Sequence, residues 1–311
     1  MTVKVLENCK TAEEALYQCG LNWGVYQDEI YVPQGNGFVR IPDKYATRRS
    51  DTGSVLGLSG RYYKPIQNRE SFMFMDSLVD GDDVVYHSGG DFDDGKLVFL
   101  QAKIQGDIEP IPGDKIERLI LLCTSHDGSS AFRVLFTTSR IVCKNTLMAA
   151  LSDRTGFYSK HTQNVSGKVD QAKEVLGLAK RSFSFFGQIM QRAVDVTMTD
   201  SQVEEYLQLV YKFKHKTPYS KQDARNRSAY ESTMAILNHP TNTIGGMQGT
   251  AYGALNAVTY YLDHQKPVRL TESVTDQMQA KEDKRMQLSW FGGSLDTRRR
   301  AYAHLQLPVP V

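Results

Sequence analysis

Cysteine is scarce in this sequence: four thiols among 311 residues, Cys9, Cys19, Cys123 and Cys143, with neither C-x-x-C spacing nor histidines placed for a zinc finger. Neither a disulfide framework nor a structural zinc is indicated, and buried free thiols are expected. Long apolar runs are missing too. No eighteen consecutive residues are apolar, and the opening MTVKVLENCK lacks the hydrophobic segment of a signal peptide, so no membrane span is expected and the location is expected to be cytoplasmic. Charge of one sign is not in excess, since 37 Lys and Arg oppose 35 Asp and Glu. Catalytic fingerprints are also absent: there is no G-x-S-x-G elbow, no H-E-x-x-H and no G-x-G-x-x-G. The run Gly245-Gly246-Met247-Gln248-Gly249-Thr250 lacks the G-K-[ST] ending of a P-loop and reads as a glycine-rich turn beside a packed helix. No nucleotide hydrolysis and no cofactor are inferred.

What is present is ordinary soluble composition, 41% hydrophobic and 23% charged, in a chain long enough for a substantial core. The most legible stretch is 116–151. Two β-branched-rich runs, Ile116 to Cys123 and Ala131 to Thr137, flank Ser125-His126-Asp127-Gly128-Ser129, and Asp-Gly between such runs predicts a β-hairpin. On the second run Phe132, Val134 and Phe136 alternate with Arg133, Leu135 and Thr137, which predicts one core face and one face carrying a cation. Asn145 then caps a short helix with Leu147, Met148 and Leu151 on its inner side.

These residues also carry a resemblance. The order S-H-D-G-S, a strand, then Arg140, Val142, Cys143, Asn145, Thr146, Leu147 and Ala150 resembles a phage- and plasmid-borne family of unknown function, the YfjQ/YafZ-like proteins. Upstream, Leu56-Gly57 with Gly60, Tyr63, Gln67 and Asn68 is similar to a second family block, although Leu58-Ser59 stands where a Val is common. Lys160-His161-Thr162 and Gly249 to Thr259 with Asp263-His264 resemble two more, so the likeness spans about residues 20–265. It implies no settled activity.

Around that centre the order of elements predicts an α+β protein: a β-rich region of antiparallel hairpins with short helices over 1–160, then a mostly helical region over 161–311 packed with it as one unit. Thr11-Ala12-Glu13-Glu14 is a capping box, and Trp23 to Arg40 reads as strands interrupted by Pro33-Gln34-Gly35-Asn36-Gly37. Residues 44–53 read as an exposed loop, Arg61 to Lys64 as a strand, and Asn68 as the cap of a helix through Val79. Val84 to Ser88 and Lys96 to Ile104 pair across Asp93-Asp94-Gly95, and the acids Asp80, Asp82, Asp83, Asp91, Asp93 and Asp94 are read as turn acids rather than metal ligands. From Val169 to Ala193 an apolar stripe at helical period runs through Phe183 and Phe186, with Phe185 well off the stripe. Such breadth predicts either a central helix or one shared with another subunit.

Function is read from the cations. From Tyr211 to Arg227 six Lys and Arg oppose only Asp223, and aromatics alternate with lysines. Single-stranded nucleic-acid sites use that combination, cations on phosphates and aromatics under bases. The expected interface comprises Arg48, Arg49, Arg61, Tyr63, Arg133, Arg140, Lys144, Lys160, His161, Lys212, Phe213, Lys214 and Lys216. The expectation is an ATP-independent, annealing-type protein of phage or plasmid recombination that binds single-stranded DNA as a homo-oligomer in the host cell cytoplasm. It looks like phage single-strand annealing proteins at the level of fold plan alone. A metal-dependent hydrolase or nucleotide-modifying enzyme using His126, Asp127 and His161, or a counter-defence protein that binds a host protein, are the alternatives. For His126 itself the residues favour a turn side chain bonded to backbone.

Overall fold

A turn needs backbone that can reach positive φ, and the hairpin read at Asp93-Asp94-Gly95 places such residues where the chain reverses. A computed structural model describes residues 2–79, 83–128, 132–140, 165–213, 220–238, 247–270 and 276–305. Strands β5 (Val84–Phe92) and β6 (Leu97–Ile108) pair antiparallel across Asp93, Asp94 and Gly95, at φ 50°, 57° and 90°. Strands β7 (Ile116–Ser125) and β8 (Arg133–Arg140) are neighbours, with Gly128 at φ 80° after β7. With β1 (Thr2–Val5) they make a five-stranded sheet in the order β1-β5-β6-β7-β8. A second sheet holds β2 (Val25–Gln34), β3 (Gly37–Arg49) and β4 (Val55–Gly60) in sequential antiparallel order. The helix expected after Asn145 lies outside the described residues.

Several boundaries moved for physical reasons. Residues 44–49 continue β3 instead of forming a loop, because Thr47 and Arg49 turn into the core while Lys44, Ala46 and Arg48 face away; polar residues on both faces hid the strand period. The strand read at Arg61 lies earlier, at Val55–Gly60. In β8 both faces are covered: Leu135 and Thr137 are as buried as Val134 and Phe136, and from Arg133 to Thr138 only Arg133 is half-buried. Asn68 opens α2 (Asn68–Val79) but spends its side chain on tertiary bonds rather than on a cap. Before α1 (Ala12–Cys19) only half of the expected capping box forms: the Thr11 hydroxyl accepts from the Glu14 N–H at 3.2 Å, but the Glu14 carboxylate reaches back to the Lys10 N–H at 2.8 Å rather than to that of Thr11.

The C-terminal half is helical among the described residues, giving an α+β chain. Its elements are α3 (Val165–Asp195), α4 (Asp200–Tyr211), α5 (Lys221–Leu237), α6 (Ala251–Tyr260), α7 (Gln277–Phe291) and α8 (Gly293–His304). In α3 the stripe Val175, Ala179, Phe183, Phe186, Met190 and Ala193 is buried, while Phe185 is half-buried. Thr199 and Gln202 form the full reciprocal capping box on α4. Gly253 is required in α6, since a Cβ there would lie 2.1 Å from the Met247 carbonyl oxygen. Helix α6 runs into one π-turn, Tyr261–Gln265, which buries Asp263 and exposes His264. No described helix is long and apolar enough to cross a membrane.

The described chain divides into two units. The first draws on residues 1–105, 119–135 and 156–177, the second on 106–118, 136–155 and 178–311.

Candidate nucleic-acid interface

Adjacent strand residues point to opposite faces, so the pair Arg48-Arg49 is split by geometry. Arg49 turns inward and is 9% exposed: its guanidinium lies over the Trp23 ring at 4.3 Å, bonds both Asp51 oxygens at 3.0 and 2.8 Å, and reaches Asp94 at 3.4 Å. Arg48 turns outward, over the Tyr26 ring at 5.6 Å, and pairs with Asp28 at 2.6 Å. The register puts Tyr26 opposite Arg48, and Arg48 opposite Val55, with Ala46 opposite Leu58. The outer face of β2-β3-β4 therefore carries exposed Tyr26, Val55 and Leu58 among Lys44 and Arg48. Just past β4, exposed Tyr62 lies under Arg61 at 5.2 Å, and Arg61 approaches Asp43 at 3.8 Å.

The inner side of the same unit joins two sequence blocks that lie far apart in the chain. His126 is completely buried, and its Nε2 meets Asn68 Oδ1 at 2.7 Å. Asn68 Nδ2 donates to the carbonyls of Leu21 and Trp23 at 2.9 and 3.3 Å, which leaves Oδ1 as the acceptor and assigns the imidazole proton to Nε2. Nδ1 has no partner among the described residues, and the Trp23 ring stands edge-on at 5.4 Å. Burial, helped by Arg49 and opposed by Asp127, pushes the His126 pKa down to about 4, so the ring is neutral at pH 7. The backbone is fixed as well: His126 N–H donates to Lys96 at 2.7 Å and its carbonyl accepts from Thr47 Oγ1 at 2.7 Å. Gly57 permits this approach, for a Cβ there would sit 2.5 Å from Asp127 Cα. Tyr63 points its hydroxyl at the Ser125 carbonyl at 3.5 Å, and Gln67 pairs with both backbone groups of Val25 at 2.9 and 2.8 Å. Burial, and secondarily Asp127, raises the Tyr63 pKa.

His126 is therefore a locked core side chain rather than a turn residue, and its ring bonds a side chain rather than the backbone. Nothing local reports this role, because an Asn at the start of a helix reads as a cap; the pointer is that Gln67-Asn68 and Ser125-His126-Asp127 both fall in the blocks that carry the family resemblance. The acidic hairpin acts as a turn, with Asp94 taken up by Arg49.

The remaining candidate residues lie on separate elements. Lys212 is exposed at φ 53° at the end of α4, while Phe213 is buried against Tyr230 at 5.1 Å, its ring closed to a base. Arg133 is half-buried on β8. The side chain of Arg140, and Lys144, Lys160, His161, Lys214 and Lys216, lie outside the described residues. Burial pushes the Cys19 and Cys123 thiols up to about 12, which makes them poor nucleophiles.

The model of a known sequence family, the Domain of unknown function (DUF932), matches residues 55–286. The chain belongs to that family. No curated protein and no solved structure matches it.

Proposed function

We propose that this chain is a YfjQ/YafZ-like protein of phage or plasmid origin that binds single-stranded DNA without ATP and promotes annealing during recombination or replication. The observation that carries the reading is the outer face of β2-β3-β4, where Tyr26, Val55 and Leu58 stand exposed beside Lys44 and Arg48, with Arg61 and Tyr62 just beyond. Bases stack on exposed aromatics while cations follow the phosphates. The Arg48–Asp28 and Arg61–Asp43 pairs lie at the solvent-accessible surface, where water screens them, and yield readily to phosphate. Lys212, with Lys214 and Lys216 next to it in sequence, adds a second cationic tract.

Changing Lys44, Arg48 and Arg61 together to Ala is expected to flatten the salt dependence of single-strand binding by about 2 units of log K per log salt, roughly 0.7 per lost phosphate contact. Tyr26→Ala should cost roughly 1–3 kcal/mol at any salt. Gel-shift titrations at several salt concentrations read both. An unchanged slope would remove the sheet from the interface, and absence of any single-strand binding by the unaltered protein would end the proposal.

Annealing also calls for a polymer, since neighbouring protomers hold a strand extended and raise its effective concentration. The half-buried Phe185 on α3, off the stripe already filled by Phe183 and Phe186, is one apolar side chain available for it. Light scattering at micromolar concentration with single-stranded DNA should give a mass several times the 35.0 kDa of one chain. Phe185→Glu should return it to one chain; a single-chain mass for the unaltered protein would exclude the oligomer.

A further inference from the structure

The π-turn after α6 widens the helix by one residue, and π-turns recur at functional sites. Here it sends Asp263 into the core and leaves His264 outside, beside a groove of about 550 Å³ lined by His264, Gln277, Met278, Lys281, Glu282 and Arg285. Among the described residues, three basic side chains and one carboxylate line it. Lys281 and Arg285 are four residues apart on α7, so two cations share one face with no carboxylate interposed. Glu282 is three residues from Arg285, yet no ion pair joins them. Instead Arg285 Nε donates to the Lys266 carbonyl at 2.9 Å, which orients the guanidinium and leaves its two terminal nitrogens unbonded among the described residues. Lys281 has no ion-pair partner among them either. A fixed guanidinium fork matches the oxygens of a phosphate two at a time. The other wall is different in kind: Met278 is 75% exposed, an apolar plate next to the Gln277 amide and the Glu282 carboxylate. An apolar plate with one amide and one acceptor suits a nucleobase bearing an exocyclic amino group. The volume fits one nucleotide.

We propose that this groove binds a nucleoside monophosphate, the phosphate on Lys281 and Arg285 with His264 beside it, the base on Met278 with its polar edge toward Gln277 and Glu282. The nucleotide is either free or the 5′-phosphorylated end of a strand. The assignment does not rest on strand binding by the β2-β3-β4 sheet, none of whose residues line the groove.

Isothermal titration of the full chain with dCMP, deoxycytidine and inorganic phosphate tests it. The expected result is binding of dCMP about tenfold or more tighter than deoxycytidine, with phosphate competing. Lys281→Glu should weaken dCMP about tenfold or more at an unchanged melting temperature, and Arg285→Lys, which keeps the charge and loses the fork, should weaken it as well. The Lys44, Arg48, Arg61 triple variant should bind dCMP normally, separating this site from the sheet. Equal affinity for dCMP and deoxycytidine, or an unaffected Lys281→Glu, would overturn the assignment. Tighter binding of a short 5′-phosphorylated strand than of its 5′-hydroxyl form would support it and identify strand ends as the ligand; equal binding of the two, with dCMP still bound, would support it with free nucleotides as the ligand.

Discussion

Acidifying the protein from pH 7 to pH 5 should remove about 2 kcal/mol of stability through His126 alone. The imidazole titrates near 6.5 when the chain is unfolded and about 4 when it is buried on Asn68, so between those values the unfolded state binds the extra proton. The stability due to the neutral buried ring is fully present above the unfolded value, falls as pH drops toward 4, and changes no further below it. Urea midpoints at pH 7, 6 and 5 measure the slope. In His126→Gln the His126 share of the slope over this range should be lost, while the overall stability drops because the bond to Asn68 is re-formed imperfectly. Asp91, whose carboxyl burial raises, contributes with the opposite sign, but it is common to both proteins and cancels in the difference. Identical slopes in the two proteins would show that His126 is accessible to protons in the folded state.

The second large effect lies at a buried ion pair. Arg298 on α8 is completely buried and its Nη2 bonds Asp263 Oδ1 and, at 3.2 Å, Ser289 Oγ. Ser289 also donates to Asp263 at 3.1 Å. Arg298 Nε and Nη1 and Asp263 Oδ2 have no partner among the described residues, so the pair holds little in reserve. Removing one partner strands a charge in a dry interior. Asp263→Ala should therefore cost about 3–5 kcal/mol, and adding Arg298→Met to it should restore most of the loss, since an apolar pair replaces an ionic one at little net cost. Denaturant melts of the two single variants and the double complete the cycle. Additive losses would mean that the two side chains stabilise the bundle separately.

The same contrast explains what could be read in the sequence. The hairpin at Asp93-Asp94-Gly95, the neighbouring strands β7 and β8 on either side of Asp127-Gly128, the N-caps at Thr11 and Thr199, and the stripe through Phe183 and Phe186 are local signals, and local signals survive folding. Strand β3 was hidden because the pleat carries a polar side chain to each face at Thr47, Arg48 and Arg49. The pairing of Asn68 with His126 spans 58 residues, and no periodicity reports a bond of that range. The outward set of Tyr26, Val55 and Leu58 is illegible for a related reason: it is assembled across β2 and β4 on either side of β3, and one or two apolar residues on a strand give no pattern along the chain. Arg48 and Arg61 were legible as cations, but the carboxylates beside them, Asp28 and Asp43, are neighbours in space only.

Strand β4 pairs with β3 only between Lys44 and Arg48, so the distal part of the β2-β3 hairpin, Tyr31 to Arg40, has no third strand beside it among the described residues and is exposed throughout. Such a ribbon can be shortened or lengthened independently of everything beneath it, but only in matched steps. Taking two residues from each strand, at the rungs Tyr31–Arg40 and Val32–Val39, preserves the alternation that sends Arg49 onto Trp23 and Arg48 outward. Taking one from a single strand turns the ribbon's rungs over relative to their partners and forces a bulge at the ribbon's base, where the register already shifts between Glu29 and Tyr31. Variation in length among related chains should thus be concentrated at this hairpin and come in even increments.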